Sequence, residues 1–465
     1  MSQWLLCGAA VLGAVTLLPA GIDAEAQAHP PIRLFLEAGG SDAAVADAAL
    51  ARIAPQWRDG YTSMLVDMAR LLQPRRIGED VFPNPVRARL IRFLEQQTRQ
   101  RFGDDLHKWR EWHWNKPADP HPDYAVLKAA VYTRIDPRMA RFFETDSATI
   151  RLDEIDWGGV AVNGIPPLEQ PRVLAASAAS YLRDSHVVFG VVVNGEARAY
   201  PKRILAWHEM AHDRVGGIDL TIVYCTLCGT VIPYRSEVGG VRRTFGTSGL
   251  LYRSNKLMFD AETMSLWSTL DGRPVVGPLA GQPVTLQAEP VVTTTWGEWR
   301  AQHPRTTVLS ADTGHDRDYS EGAAYRDYFS TDTLMFRTPR ADTRLKNKDE
   351  ILGVLVPATG GGRQAIAFSA AFLARTRVYQ QLVEGRSLVV LTSPRGANRV
   401  YEAGAIRLAA WVDDSAVRDD RGNTWRVTED ALVPSDGAAP LRRVPAFRAF
   451  WFGWSAQFPD TLLVK

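Results

Sequence analysis

One pattern, W-x-x-W-x-A-Q-x-P-x-T, occurs twice in the chain and constrains its fold more than any other feature. It begins at Trp296 and again at Trp451. Weaker matches lie upstream of both copies: Phe189-Gly190-Val191 with Leu352-Gly353-Val354, Ala197-Arg198-Ala199-Tyr200 with Ala365-Ile366-Ala367-Phe368, and the strand-like run ending at Tyr224 with Ser387-Leu388-Val389-Val390-Leu391. Self-similarity over a long period indicates duplicated structural units. We therefore expect two related units in tandem, over roughly residues 186–310 and 351–465.

The sequence pattern changes near Asp153. Before that point apolar residues recur at helical spacing, as in Met64-Leu65-Met68-Leu71-Leu72, which predicts an α-helical domain over residues 29–150. After it, short β-branched runs alternate with Gly, Pro and Asp, which predicts strands. The predicted fold class is therefore α+β. A helical amino-terminal domain precedes a mainly β domain made of two tandem related units, residues 151–350 and 351–465.

The first 28 residues are predicted to be a signal peptide. Trp4 to Ala20 is almost continuously apolar, and small residues suited to cleavage follow at Ala24-Glu25-Ala26 and Ala26-Gln27-Ala28. Because no Lys or Arg precedes the apolar run, an uncleaved signal anchor is the alternative, although the run is short for a membrane span. Either possibility predicts an exported protein, periplasmic or extracellular. Cys7 lies in the apolar run, so a cleaved chain keeps two cysteines.

The overall charge gives no reason to expect a nucleic acid partner. Lys and Arg number 54 and Asp and Glu number 52, for a formal net charge of +2 without a long basic run. A binder of nucleic acid or of an anionic membrane surface usually concentrates basic residues. The expected partner is a small molecule or a periplasmic protein, and no transmembrane domain is expected beyond the possible anchor.

Two cysteines stand close together in the first β-rich unit. The segment Cys225-Thr226-Leu227-Cys228-Gly229 lies between a predicted strand ending at Tyr224 and another beginning at Thr230. A thioredoxin-type pair stands at the start of a helix, whose amino terminus lowers the thiol pKa. A C-x-x-C-G segment between strands is typical of a metal knuckle, in which Gly229 takes a backbone angle that other residues avoid. A redox disulfide and an inert disulfide that closes the turn stay open as alternatives.

Two histidines precede the cysteines. Pro201 to Asp213 is predicted to form a short helix, with Gly216-Gly217 after its end. On such a helix His208 and His212 share one face, and with Glu209 they match H-E-x-x-H, the pattern of zinc peptidases. Together with the two cysteines, the two histidines would instead complete a closed tetrahedral zinc site.

The following segment supplies further candidates. Met258 is a possible soft ligand beside thiolate and imidazole, a set that suits copper, although core packing is the alternative. Glu209 and Asp260 are candidates for catalytic or orienting groups around the ligands. The residues expected to line a cofactor pocket, unless they are turn or ion-pair residues, are Tyr252, Arg253 and Asn255.

Only the first unit carries the candidate site. Alignment of the two units places Cys225 near Ser393, Cys228 near Gly396 and His208 near Thr376. Residues that both copies share are best interpreted as scaffold. The asymmetry therefore predicts that function is located in residues 200–275.

Several segments of the β-rich region resemble a known family. They are Ala197-Arg198-Ala199-Tyr200-Pro201, Ile204-Leu205-Ala206-Trp207-His208-Glu209, Tyr224-Cys225-Thr226-Leu227-Cys228-Gly229, Gly249-Leu250-Leu251-Tyr252 and Ser265-Leu266-Trp267-Ser268. The chain resembles, from about Ile150 to its carboxyl end, the bacterial and archaeal family called domain of unknown function 3179. That family implies no activity for the chain. It usually has a polar residue such as Asn at the position of His212, which implies that the H-E-x-x-H match is accidental.

The residues left by this comparison are Cys225, Cys228 and His208. The leading hypothesis is an exported metal-binding or metal-dependent redox protein, with a copper or zinc ion held by these three residues and Met258 as a further ligand. The first alternative is a thiol–disulfide oxidoreductase that uses the cysteine pair. The second is a non-catalytic binding module in which the cysteine turn is structural.

Overall fold

The computed structural model describes most of the chain. The described ranges are residues 29–72, 75–77, 80–82, 84–116 and 120–465. The predicted signal peptide, residues 1–28, lies outside them. Within these ranges, no helix has both the length and the apolar character needed to cross a membrane.

The amino-terminal region is mainly helical, as predicted. Its helices are α1 (Ile32–Ala38), α2 (Ala43–Ile53), α3 (Thr62–Leu71), α4 (Pro85–Thr98), α5 (Leu106–Trp114) and α6 (Tyr124–Tyr132). Short 3-10 helices follow or connect them at Ala54–Gln56, Asp59–Tyr61, Pro137–Phe143 and Leu152–Glu154. Side-chain caps explain where some helices begin: the Asn84 carboxamide oxygen accepts hydrogen bonds from the backbone N–H of Val86 and Arg87, and Pro85 occupies the first helical position.

The rest of the chain is mainly β, also as predicted. Its strands up to residue 309 are β3 (Ile155–Trp157), β4 (Leu168–Glu169), β5 (Val173–Ala175), β6 (Val187–Val193), β7 (Glu196–Pro201), β8 (Met210–Val215), β9 (Ile218–Cys225), β10 (Thr230–Arg235), β11 (Glu237–Val238), β12 (Val241–Arg242), β13 (Phe245–Tyr252), β14 (Asn255–Asp260), β15 (Leu266–Ser268), β16 (Pro274–Val276), β17 (Val292–Thr295) and β18 (Thr307–Leu309). Between them lie a 3-10 turn (Ala176–Ala178), α7 (Lys202–His208) and α8 (Trp296–Gln302). Two further short strands, β1 (Arg75–Ile77) and β2 (Asp80–Phe82), pair antiparallel within the helical region, where the sequence did not predict strands.

The last part of the chain continues this pattern. Its helices are α9 (Arg326–Phe329), α10 (Ala370–Arg375) and α11 (Trp451–Gln457), and its strands are β19 (Glu350–Pro357), β20 (Arg363–Ser369), β21 (Val378–Val383), β22 (Arg386–Thr392), β23 (Asn398–Glu402), β24 (Leu408–Trp411), β25 (Ala416–Asp419), β26 (Thr424–Val427), β27 (Ala431–Pro434), β28 (Leu441–Val444), β29 (Ala446–Phe450) and β30 (Leu462–Val464). A long connecting segment, residues 310–349, joins β18 to β19 and contains only α9.

The helical region packs against a β-sheet rather than forming a separate core. That sheet has the order β16-β15-β14-β13-β3. One buried apolar cluster includes Phe35 and Trp109 from the helices together with Leu250, Phe259 and Leu266 from the sheet. The helices therefore bury their apolar faces against strands that come from the β-rich region.

A buried charge network stabilises the helical side of this core. The carboxylate of Asp67 accepts hydrogen bonds from Arg110, Lys128 and the hydroxyl of Tyr124, at 3.1, 2.8 and 2.6 Å. Lys128 also donates to the backbone carbonyl of Ile155 at 3.0 Å, just where β3 begins. Because buried charges are tolerated only when they are paired, this network couples the helices to the sheet.

Two other sheets share one strand order. In the first, β17, β6 and β7 pair antiparallel in that order and β18 pairs parallel to β7. In the second, β29, β19 and β20 pair antiparallel in that order and β30 pairs parallel to β20. Helices α8 and α11 directly follow β17 and β29. The repeated W-x-x-W pattern thus lies on the same kind of helix at the same edge of each sheet.

Each of these sheets contains a glycine that lies under a tryptophan. Gly190 on β6 pairs with Ala199, and Gly353 on β19 pairs with Ala367. A Cβ atom added to Gly190 would lie 2.2 Å from the ring of Trp299, and one added to Gly353 would lie 2.3 Å from the ring of Trp454. Glycine is therefore required where the second tryptophan of each pattern crosses the sheet.

The tryptophans also bond to the last residue of the pattern. The indole N–H of Trp299 donates to the hydroxyl of Thr306 at 2.9 Å, and that of Trp454 donates to Thr461 at 2.8 Å. A buried indole needs such a partner. The spacing of Trp and Thr in the pattern follows from this bond.

We predict that Gly190→Ala lowers the free energy of unfolding by about 2 kcal/mol or more, because the added methyl group forces the buried indole of Trp299 out of its position. Urea titration followed by tryptophan fluorescence measures the change. Gly360→Ala is the matched control, since its Cβ would have no neighbour within 4 Å. An equal loss of stability in both variants would contradict the assigned role of Gly190.

Candidate functional site

The helix that carries His208 is shorter than predicted. The predicted helix over residues 201–213 is wrong after His208, where α7 ends. Glu209 takes a left-handed conformation with φ of +56°, and strand β8 begins at Met210. His212 therefore lies on a strand that pairs with β9, and Gly216 and Gly217 form the turn between these strands. The H-E-x-x-H residues do not share a helix face, so they do not have the geometry of a zinc peptidase.

The cysteine turn, residues 225–229, connects two paired strands as predicted. Thr230 on β10 pairs with Cys225 at the end of β9. Cys225 and Cys228 form a disulfide whose Cα atoms are 5.3 Å apart. Gly229 has φ of +65°, a conformation that suits glycine. In this form the sulfur atoms bond to each other and are not free thiolate ligands.

Three parts of the molecule cover the cysteine turn. The Cys228 sulfur lies 3.6 Å from the backbone carbonyl of Ser254, at the tip of the β13–β14 hairpin. The hydroxyl of Tyr328, from the connecting segment, donates to the carbonyl of Leu227 at 2.9 Å. The N–H of Phe450, at the end of β29, donates to the carbonyl of Cys228 at 2.7 Å. The two cysteines are consequently only 3% and 0% exposed.

Both ring nitrogens of His208 bond to groups other than the two cysteines. Its Nδ1–H donates to the carbonyl of Pro166 at 2.9 Å, so the neutral ring accepts at Nε2 from the hydroxyl of Tyr319 at 2.5 Å. The Tyr319 oxygen in turn accepts from the hydroxyl of Thr313 at 2.6 Å. Burial lowers the pKa of His208, which favours this neutral form. His208 therefore helps to hold the connecting segment, and its ring packs on that of His315.

The described residues contain no group of three or more His, Cys, Asp and Glu side chains that could hold a metal ion. The structure brings Cys225 and Cys228 together, and it does not add His208 or Met258 to them as ligands. Met258 is fully buried in the apolar core, beside Trp267 and other core residues. The copper or zinc site stays a prediction that the arrangement of the described residues does not support.

Asp260 serves as an internal hydrogen-bond acceptor. Its carboxylate accepts from the indole N–H of Trp267 at 2.8 Å, from the backbone N–H of Thr263 at 2.8 Å and from Arg243 at 3.2 Å. The side chain is completely buried. These bonds stabilise the loop between β14 and β15, and none of the three involves a cysteine.

The three residues expected to line a cofactor pocket take part in contacts between segments. Arg253 contacts the Glu154 carboxylate at 2.5 Å and donates to the carbonyl of Ala456 at 3.0 Å. The Asn255 amide donates to the carbonyl of Gly453 at 2.9 Å. Tyr252 is buried under the Arg253 guanidinium, and burial raises its pKa. Arg253 and Asn255 thus hold α11 against the β13–β14 hairpin.

A buried ion pair lies beside the cysteine turn. The ammonium group of Lys256 lies 3.3 Å from the Glu209 carboxylate and 3.1 Å from the Glu209 carbonyl. The same carbonyl accepts the N–H of Tyr224, the residue before Cys225, at 2.8 Å. Burial lowers the pKa of Lys256, and the Glu209 carboxylate opposes that shift. Burial and the charge of Glu209 raise the pKa of Tyr325 to about 12.

The sequence analysis singled out Glu209 but did not pair it with Lys256. Lys256 is only 5% exposed, and it stands in β14, where every residue is buried. A lysine directly followed by the apolar run Leu257-Met258-Phe259 of a predicted strand is the signal that would have identified it, because such a lysine needs a buried acid.

Comparison with known proteins concerns the β-rich region. A family model described as protein of unknown function (DUF3179) matches residues 162–461, which is more than half of the chain. The match includes the cysteine turn, the Glu209–Lys256 pair and both copies of the tryptophan pattern. No curated protein and no solved structure is significantly similar to the chain. With its disulfide enclosed between paired strands and its match along most of the β-rich region, the chain belongs to the DUF3179 family.

Proposed function

We propose that the protein is an exported, non-catalytic binding module in which the Cys225–Cys228 disulfide is structural. The observation that carries this proposal is the enclosure of the cysteine turn by the hairpin tip, the connecting segment and the end of β29. A catalytic disulfide must be reached by a partner thiol or disulfide. A fully enclosed disulfide is better suited to keep a turn in one shape in an oxidising compartment.

The corresponding turn of the second half supports the same interpretation. Between β22 and β23, the hydroxyl of Ser393 accepts from the N–H of Ala397 at 3.0 Å and donates to the Glu298 carboxylate at 2.6 Å. Glu298 belongs to α8, which carries the first tryptophan pattern. A serine side chain thus closes this turn where the first half has a disulfide.

The two turns dock reciprocally. The cysteine turn packs against α11, where a Cβ added to Gly453 would lie 3.2 Å from the Cβ of Cys228. The turn that contains Ser393 bonds to α8. We infer that the two halves are duplicated units, each of which places one turn against the tryptophan-bearing helix of the other. The shared role of the turns is docking, and a disulfide and a serine are two ways of stabilising it.

We predict that Cys225→Ser with Cys228→Ser lowers the free energy of unfolding by about 2 kcal/mol, the loop-closure value for so short a loop, and leaves the folded structure in place. Urea titration and circular dichroism measure both effects. Ser393→Ala is the matched variant in the second half. It should cost about 1–3 kcal/mol because the buried Glu298 carboxylate loses one of its two hydroxyl donors and keeps that of Thr294. Retained stability of the cysteine variant, together with lost biological activity, would contradict a structural role.

A thiol–disulfide oxidoreductase is the second candidate, and the Glu209–Lys256 pair is the observation that favours it. An ammonium group next to a cysteine stabilises the thiolate and so changes the reduction potential. Here the pair reaches the backbone directly before Cys225. In that function, the connecting segment would have to open before a substrate could reach the sulfur atoms.

We predict that the native disulfide resists mild reduction, so that alkylation of Cys225 and Cys228 occurs only when the protein unfolds. Mass spectrometry after incubation in graded dithiothreitol and iodoacetamide, with and without urea, tests this. Lys256→Met separates the two candidates. Under either candidate this variant loses about 3–5 kcal/mol of stability, because the largely buried Glu209 carboxylate is left unpaired. A structural disulfide keeps its reduction midpoint in this variant. Rapid alkylation in the native state, with a reduction midpoint that shifts in Lys256→Met, would instead establish the redox candidate.

A further inference from the structure

A cavity of about 440 Å³ opens on the first half of the β-rich region, and no residue of the cysteine turn lines it. It lies beside β4, β8, the beginning of β9 and the end of β12. Its volume is within the range of sites that bind small organic molecules. Polar and charged side chains dominate its wall, among them Glu169, Arg198, His212, Arg214, Asp219 and Arg242.

Two arginines at the rim share one carboxylate. Arg214 lies 3.9 Å and Arg242 lies 3.4 Å from the carboxylate of Asp219. Their side chains are 68% and 67% exposed, and among the described residues neither guanidinium makes a hydrogen bond to a side chain. The planar N–H donors of both groups are therefore available to a ligand.

The other arginines of the wall are hydrogen-bonded to carboxylates. Arg198 bonds to Asp213 at 2.6 Å, and Asp213 also accepts the hydroxyl of Tyr200 at 2.8 Å. Arg243 bonds to the buried carboxylate of Asp260 at 3.2 Å. The wall also carries the Glu169 carboxylate, which accepts a hydrogen bond from His212. Among the described residues, the rim arginines are thus the cations of the wall that make no hydrogen bond to a carboxylate.

Two buried nitrogen atoms of lining residues have no hydrogen-bond partner among the residues that the structure describes. The Nδ1–H of His212 donates to the Glu169 carboxylate at 2.8 Å, whereas its Nε2 makes no hydrogen bond. The Nε–H of Arg243 is likewise buried and unpaired. Buried polar groups normally have partners, so these two lining residues keep hydrogen-bonding capacity that the described residues do not use.

We propose that this cavity binds a small organic anion, through a carboxylate or phosphate group held between Arg214 and Arg242, with His212 beside the rest of the ligand. The proposal rests on the binding function proposed above and specifies its ligand class. Bidentate guanidinium contacts give both affinity and orientation for planar or tetrahedral anionic groups. The polar wall then selects a ligand that carries further hydrogen-bonding groups.

Isothermal titration calorimetry of the full chain tests the proposal at low ionic strength, with inorganic phosphate and with succinate as separate probes. We expect the wild-type protein to bind at least one of them, and the probe that binds identifies the anionic group. Arg214→Ala with Arg242→Ala should weaken that binding about tenfold or more, because two charge-assisted contacts are lost.

Arg386→Ala with Arg442→Ala is the matched control. These arginines also share one carboxylate, that of Glu402, at 3.0 and 2.9 Å, and they lie far along the chain in the second half. Binding of neither probe to the wild-type protein, or equal weakening in both double variants, would overturn the cavity proposal. If the chain binds the anion but its disulfide proves redox-active, only the structural role of Cys225 and Cys228 is overturned.

Discussion

The hydrogen bond from the N–H of Phe450 to the carbonyl of Cys228 joins the two halves of the β-rich region at the cysteine turn. Around it lie the Asn255–Gly453 bond and the contact between Arg253 and Ala456, so α11 is held against the β13–β14 hairpin. That hairpin belongs to the sheet on which the helical region packs. A change in the shape of this turn would therefore alter its contacts with the second half and with the connecting segment. Through the sheet, it would also affect the packing of the amino-terminal helices.

The fold was largely predictable because its strongest signals are local or repeated. The strands on both sides of the cysteine turn, the positive φ of Gly229 and the helical character before residue 150 all follow from short-range patterns. The helix around His208 is shorter than predicted. It ends because Glu209 leaves the helical conformation, and the pattern of apolar residues does not indicate this end. The end of α7 is instead determined by the pairing of β8 with β9, which begins at Met210.

The candidate site was predictable only in part, since its contacts span long stretches of sequence. Two cysteines a few residues apart left a disulfide open only as an alternative to a metal knuckle, and the structure has the disulfide. The partners of His208 include Pro166 and Tyr319, which spacing does not reveal. The enclosure of the turn depends on Tyr328, from a segment with little regular structure. Sequence asymmetry between the halves predicts that the cysteines matter, and the docking role that we propose for both turns would account for that asymmetry.

One strand links the enclosed disulfide to the arginine-rimmed cavity. Strand β9 begins near Asp219, which faces the rim arginines, and ends at Cys225. At about 3.3 Å per residue, these two points are roughly 20 Å apart. Strands β8 and β10 flank β9 along this length, and β8 carries His212 and Arg214. The disulfide fixes the end of β9 that lies in the interface between the halves, and this restrains the strand that positions Asp219. A disulfide remote from the proposed ligand can therefore still help to keep the cavity in one shape.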